Sequence, residues 1–194
     1  MTDPVVLLYP GAGTGADHPS LVAIDEALAP IECRRLDFGY RRQGRRAPDR
    51  APKLMAEIRA HLDAVRGRPV VLAGRSMGGR MASMVVAGAD GEPPPDDVVG
   101  LALVAYPLHP PGRPERLRVE HLGDITVPCL FVSGTRDPFG APDELEHWTA
   151  TIPGPVTHVW IDGARHELRN ADREVATHVA EWVTPLTNRL PGPA

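Results

Sequence analysis

The sequence predicts a three-layer α/β fold, a mostly parallel sheet of about six strands with helices on both faces, formed by one domain over residues 1–190. Three observations carry this. Short apolar runs recur without alternation, among them Val5-Val6-Leu7-Leu8-Tyr9, Val70-Val71-Leu72-Ala73 and Cys129-Leu130-Phe131-Val132, and strands of that kind are buried on both faces. Between the runs, apolar residues fall at helical spacing, as in Leu54, Met55, Ile58, Leu62 and Val65. At 194 residues the chain can bury a real core but is short for anything carrying a large insertion.

The first strand, Val5 to Tyr9, runs into the glycine loop Pro10-Gly11-Ala12-Gly13-Thr14-Gly15. Asp17 as cap and Pro19 near the first turn open a helix with Leu21, Val22, Ile24, Ala27 and Leu28 that stops at Pro30. A second strand is expected over Ile31 to Phe38. Tyr40 to Ala51 holds five arginines without apolar periodicity and reads as a basic loop. Pro52 opens the next helix, which ends by Gly67, and the strand Val70 to Ala73 leads into a helix with Met77, Met81, Met84 and Val85 on one face.

Beyond a Pro-rich link at Gly91 to Asp97, Val98 to Ala105 is another buried strand. Tyr106 to Asp124 carries Pro107, Pro110, Pro111 and Pro114, which leaves room for a short helix over Glu115 to Leu122 and none for an inserted helical cap domain. Strand Cys129 to Ser133, helix Pro142 to Ile152, strand Val156 to Ile161 and a terminal helix Ala171 to Leu190 complete the pattern. Residues 191–194 are expected to be a short frayed tail.

Charge and cysteine content narrow the function classes. Lys plus Arg number 21 against 25 Asp plus Glu, a net charge of −4, so no global field favours nucleic acid or an anionic membrane, and neither partner is expected. Cys33 and Cys129 lie far apart in apolar runs and read as buried thiols of a reducing compartment. Met1 to Pro10 lacks a basic n-region and its apolar run stops at Tyr9, so a cytoplasmic location is expected, without signal peptide or membrane span. The sequence carries no signal for oligomeric state.

Gly74-Arg75-Ser76-Met77-Gly78 sits where a strand turns abruptly into a helix. Such a corner pushes one side chain outward, here Ser76, and glycines at Gly74 and Gly78 remove the Cβ atoms that would clash. A serine hydroxyl is a weak nucleophile until a base takes its proton. Two later strand ends supply candidates, Asp137 in Gly134-Thr135-Arg136-Asp137-Pro138 and His166 in Asp162-Gly163-Ala164-Arg165-His166. Loops at the carboxyl ends of parallel strands share one edge of the sheet, so Ser76, Asp137 and His166 are expected to converge.

Competing readings exist for several of these residues. Gly11, Gly13 and Ala16 with Asp37 also satisfy a dinucleotide fingerprint, although here the helix begins after the glycines. Asp162 is an alternative acid, only four residues before His166. His166-Glu167 begins like a zinc motif, but Asn170 stands where the second histidine belongs, so no metal is expected. His109 is a candidate substrate contact or a structural histidine, and burial of Cys129 argues against a thiol nucleophile.

The order Ser, Asp, His along these strand ends resembles the α/β-hydrolase superfamily over nearly the whole chain. Tyr106 to Gly112, Gly134 to Phe139 and Gly74 to Gly79 further resemble the small dienelactone-hydrolase-like group that includes testis-expressed protein 30 and NSL complex subunit 3. The resemblance implies Ser76 as nucleophile, His166 as general base and then acid, and Asp137 as the group that orients its imidazole. It also implies the backbone N–H groups of Ala12 and Met77 as oxyanion donors, on a loop shaped by Gly11 and Gly13.

The function expected is therefore a cofactor-free serine hydrolase acting on a small-molecule ester, thioester or related acyl bond. A hydrolase-fold interaction protein with little activity is the alternative, since some members of that group are complex subunits, and a dinucleotide-binding enzyme comes third.

Overall fold

A computed structural model describes residues 3–188. In chain order the elements are β1 (Val5–Tyr9), α1 (Pro19–Leu28), β2 (Glu32–Arg35), α2 (Gly39–Arg42), α3 (Ala51–Asp63), β3 (Val70–Arg75), α4 (Met77–Val86), β4 (Val98–Val104), β5 (Cys129–Gly134), α5 (Pro142–Thr149), β6 (Val156–Ile161) and α6 (Asp172–Asn188). The strands form one sheet in the order β2-β1-β3-β4-β5-β6, and every neighbouring pair is parallel.

The pleat sorts the apolar runs onto two faces. Val5, Leu7, Tyr9, Leu72, Leu101, Leu103 and Phe131 meet the inner faces of α3, α4 and α5, including Ile58, Met81, Val85 and Leu145. Their neighbours Val6, Leu8, Val71, Ala73, Ala102, Val104, Leu130 and Val132 meet α1 and α6 through Leu21, Ile24, Leu28, Val175, Val179 and Val183. Alternate side chains point to opposite faces of a strand, so an uninterrupted apolar run is what a sheet covered on both sides requires. Burying each such side chain contributes about 1.5–3 kcal/mol.

Several expectations are corrected. The second strand is only Glu32–Arg35; Leu36 donates a last backbone bond to Leu8, and the chain then leaves the sheet. Phe38 and Tyr40 are apolar for another reason, since they stack with Tyr9 in a column with ring centroids 5.4 and 6.4 Å apart, and Gly39–Arg42 coils into one helical turn within the expected loop. No helix forms over Glu115 to Leu122, where the Arg118 N–H donates to Leu108 O at 2.8 Å instead of closing a helical turn. The connection from β4 to β5 holds only a 3₁₀ turn at Leu122–Asp124.

Smaller differences lie at element ends. His18, not Asp17, caps α1, its ring accepting the Ser20 N–H at 3.3 Å. Helix α3 stops at Asp63, and α5 stops at Thr149 before Pro153-Gly154. Cys33 is half-buried and Cys129 fully so, and burial pushes both thiols up to about 12. The expected last turn of the terminal helix at 189–190 and the tail 191–194 lie outside the described residues. Among the described residues no helix is long and apolar enough to cross a membrane.

Candidate active site

Strand β3 turns into α4 at Ser76, whose φ of 50° and ψ of −115° are rare for a residue with a side chain. Backbone of that kind costs of order 1–3 kcal/mol and persists only where its surroundings hold it. Here Ser76 N–H donates to Val104 O at 2.8 Å, while its own carbonyl accepts the Arg80 N–H at 3.0 Å. The glycines are obligatory: a Cβ on Gly74 would strike the backbone of Gly78 and Gly79, and one on Gly78 would lie 2.6 Å from Pro10 O. Strand β3, helix α4 and the loop after β1 therefore close on the serine from three sides.

The structure brings Asp137 and His166 to the same place. Ser76 Oγ lies 2.9 Å from His166 Nε2, and His166 Nδ1 lies 2.8 Å from Asp137 Oδ2 and 3.1 Å from Oδ1. The loops after β5 and β6 are joined to each other: Arg136 N–H donates to Ala164 O at 2.9 Å, and a Cβ on Gly134 would collide with that carbonyl. Asp137 Oδ1 also accepts the Phe139 N–H at 2.9 Å, and the Phe139 ring stacks on the imidazole with centroids 3.9 Å apart. Asp162 is exposed and accepts from Thr135 Oγ1 at 3.3 Å, so it orients the turn before His166 and leaves the imidazole to Asp137.

The glycine loop lies against the serine, for a Cβ on Gly11 would sit 3.5 Å from Ser76 Cβ. Ala12 is exposed, and among the described residues neither the Ala12 nor the Met77 N–H has an acceptor. Thr14 closes the loop by donating to Gly11 O through its hydroxyl at 3.0 Å, and the Tyr40 hydroxyl accepts the Gly13 N–H at 3.3 Å. Asp37 accepts the Ala16 N–H at 2.8 Å. The acid that a dinucleotide would need is thus spent on the loop itself, and α1 begins only at Pro19, too late for its N-terminus to be built from the glycines. The nucleotide reading is set aside.

Two residues of this site, Arg75 and the Phe139 that stacks on His166, are not among the candidates the sequence offers. Arg75 is only 7 % exposed; its Nη2 donates to the backbone carbonyl of His166 at 3.1 Å, and its Nη1 lies 3.2 Å from where a Gly11 Cβ would be. It holds the histidine loop by that hydrogen bond and lies against the glycine loop at Gly11. Burial lowers its pKa, a shift that Glu167, Asp137 and Asp172 oppose. Its only signal was a cation at the end of an apolar strand. His109, the candidate substrate contact, is 4 % exposed, with Nδ1 2.9 Å from Pro110 O and Nε2 3.5 Å from Glu144 Oε1. Its ring therefore packs inside the fold, and the backbone N–H of His109 donates to Phe139 O at 3.2 Å.

A second serine–histidine pair lies further along α4. Ser83 Oγ is 2.8 Å from His121 Nε2, and the Tyr106 hydroxyl is 3.1 Å from both. All three residues are buried. Among the described residues no group of three or more His, Cys, Asp or Glu side chains is gathered as a metal ion would need.

The chain matches the family described as alpha/beta hydrolase domain over residues 2–188. Among solved structures it is similar to Est1E from Butyrivibrio proteoclasticus, with a TM-score of 0.75 at 16% identity, covering 97% of this chain and 90% of that one. It is also similar to the type II thioesterase BorB from the borrelidin biosynthetic cluster, with a TM-score of 0.68 at 22% identity over 93% and 91% of the two chains. At these identities the likeness is one of fold. A curated relative, Epoxide hydrolase A of Mycobacterium tuberculosis, is 38% identical over 66 residues, which are 34% of this chain. The match spans about a fifth of that relative's length.

Proposed function

Because the chain belongs to the alpha/beta hydrolase family, we propose that it is a serine hydrolase that cleaves a small-molecule ester, thioester or related acyl bond through an acyl-enzyme on Ser76. Membership supports hydrolytic chemistry in general. The observation that carries the finer reading is the continuous chain of contacts from Ser76 Oγ through both nitrogens of His166 to the buried carboxylate of Asp137. The similarity in fold to a thioesterase keeps thioesters within the proposed class.

In this reading Ser76 Oγ attacks the acyl carbonyl while its proton passes to His166 Nε2. Asp137, held in place by the Phe139 N–H, fixes the imidazole with Nδ1–H toward the carboxylate and stabilises the imidazolium that forms. The carbonyl oxygen becomes an oxyanion and takes the N–H groups of Ala12 and Met77, each such donor contributing about 10²–10³ in kcat. Collapse of this intermediate breaks the bond to the leaving group, which departs with the proton from His166. Water then enters, gives its proton to His166 and cleaves the acyl-serine, releasing the acid and restoring the hydroxyl.

A fluorophosphonate probe tests the proposal without knowledge of the substrate. Incubation of the folded protein followed by peptide mass spectrometry should place the adduct on Ser76, and prior denaturation should abolish it. No adduct on the folded protein would favour the interaction-protein alternative, and an adduct on Ser83 would move the chemistry along the helix.

A further inference from the structure

The β4–β5 connection begins with the motif Tyr106 to Gly112, and the proposed mechanism leaves that motif without a task. Its contacts lead to the acid loop. The backbone N–H of His109 donates to Phe139 O at 3.2 Å, and a Cβ on Gly140 would lie 3.1 Å from Leu108 Cδ1. Leu108 is fully buried, and its own carbonyl accepts the Arg118 N–H at 2.8 Å. On the other side of the turn, Glu144 accepts the Ala141 N–H at 2.8 Å through Oε2 and places Oε1 3.5 Å from His109 Nε2. The turn Phe139-Gly140-Ala141 is therefore backed by residues 108–109 and by the first turn of α5.

The front of the same turn meets the acid and the base. Phe139 N–H donates to Asp137 Oδ1 at 2.9 Å, and the Phe139 ring lies on the His166 imidazole with centroids 3.9 Å apart and planes 26° from parallel. One residue thus touches both groups. A histidine χ2 torsion is broad, so the side chain alone does not fix the plane of its ring. The contacts with Ser76 Oγ and Asp137 Oδ2 engage the two ring nitrogens at the edge of the imidazole, whereas the stack takes a face, so they do not compete. The face of an aromatic ring is also negative, and a cation against it is stabilised most where water is excluded. His166 is only 8 % exposed, and in the proposed reaction it becomes a cation each time Ser76 gives up its proton.

We propose that Phe139 is a positioning residue for His166, backed by the β4–β5 connection: its ring fixes the plane of the imidazole between Ser76 and Asp137, and its face stabilises the imidazolium formed during acyl transfer. The proposal rests on the serine-hydrolase reading above, and its test keeps the two apart.

The test compares the wild type with Phe139→Tyr, which keeps the ring, and Phe139→Leu, which keeps apolar bulk without an aromatic face. In Phe139→Leu, kcat for p-nitrophenyl butyrate should fall about tenfold while KM changes by less than about twofold. The rate constant for fluorophosphonate labelling of Ser76 should fall by the same factor. Phe139→Tyr should stay within about twofold of the wild type in both measurements. A role in folding alone would lower the fraction labelled and leave the rate constant as it was. NMR reads the placement without turnover. The ring protons of His166, identified by their loss in His166→Gln, should be shifted upfield by the aromatic ring in the wild type and in Phe139→Tyr, and released from that shift in Phe139→Leu.

Unchanged kcat and labelling in Phe139→Leu, or equal losses in Phe139→Leu and Phe139→Tyr, would overturn the positioning role while leaving the hydrolase reading in place. His166 ring protons without an upfield shift in the wild type would also overturn it, because the stack would then be absent. No turnover and no labelling of Ser76 in the wild type would overturn the hydrolase reading and, with it, the purpose assigned to the stack, whatever the resonances show.

Discussion

Ser76 and Ser83 are seven residues apart at the start and in the body of the same helix, and each hydroxyl touches a histidine Nε2, at 2.9 and 2.8 Å. Their surroundings diverge from there. Ser76 stands on a strained corner at the end of a strand, is partly open to solvent, and its histidine leans on a carboxylate. Ser83 is fully buried in regular helix, its hydroxyl can also donate to Arg80 O at 2.8 Å, and its histidine meets a tyrosine hydroxyl in place of an acid. A serine–histidine hydrogen bond is therefore not a site by itself. What separates the two is an acid that stabilises imidazolium and a backbone that presents the hydroxyl outward; the deep pair instead pins the β4–β5 connection to α4.

The largest expected effect breaks the two apart. Ser76→Ala should lower kcat by about 10³–10⁶, the range for loss of one member of a group that acts as a unit. Ser83→Ala should leave kcat within a few-fold but cost about 1–3 kcal/mol in urea unfolding, because it strips Tyr106 and His121 of a buried partner. If the two variants exchanged these phenotypes, the assignment of the pairs would be inverted.

Next comes the acid. Asp137→Asn should lower kcat by roughly 10⁴ through loss of the correct imidazole tautomer. Asp162→Asn should change it only a few-fold, since that carboxylate is exposed and bound to Thr135. Steady-state kinetics of the two variants side by side would expose a wrong assignment by reversing their order.

A smaller effect is expected at Arg75, a positioning residue that acts through the carbonyl of His166. Arg75→Met should lower kcat about 10²-fold, the scale of a misplacement of order 1 Å, with KM little changed. Labelling of Ser76 by the fluorophosphonate should slow by the same factor. A variant that merely unfolds in part would instead lose labelled fraction at an unaltered rate, and that outcome would remove the positioning role.

The legible parts of the molecule are those where one residue type answers one demand. Val70 to Ala73 followed by Gly74 and Gly78 could be read as a strand and a corner, because only glycine tolerates the backbone of Gly79 and Pro10 at those distances. The strand ends before Asp137 and His166 were readable because the runs Cys129 to Ser133 and Val156 to Ile161 stop at Gly134 and Asp162-Gly163. Phe38 and Tyr40 misled, since an apolar residue near a sheet serves a stacked aromatic column as well as a strand. Glu115 to Leu122 misled because local spacing cannot register that Arg118 is held by Leu108 and His121 by Ser83. Arg75 and Phe139 were silent for the same reason: their partners lie on loops remote in sequence.

The smallest expected effect sharpens the comparison from the side of the deep pair. Burial lowers His121 to about 4 from an ordinary value of 6.5, with the Arg80 charge adding to the shift and Glu120 and Asp124 opposing it. Between those two values the unfolded chain binds a proton that the native state refuses, so stability rises with pH across this window. The contribution is fully present above pH 6.5 and is lost as pH falls toward 4, at roughly 1.4 kcal/mol for each pH unit. His18, His61 and His158, also lowered by burial, act in the same sense, so the total slope alone does not isolate this residue. His121→Gln keeps a partner for Ser83 but removes the titration. Urea unfolding at pH 7, 6 and 5 should show the wild type losing stability more steeply than this variant, by up to the amount just given per unit. Parallel lines for the two proteins would mean that His121 accepts a proton within the fold, and the deep pair would then be as capable of holding imidazolium as the pair at the corner.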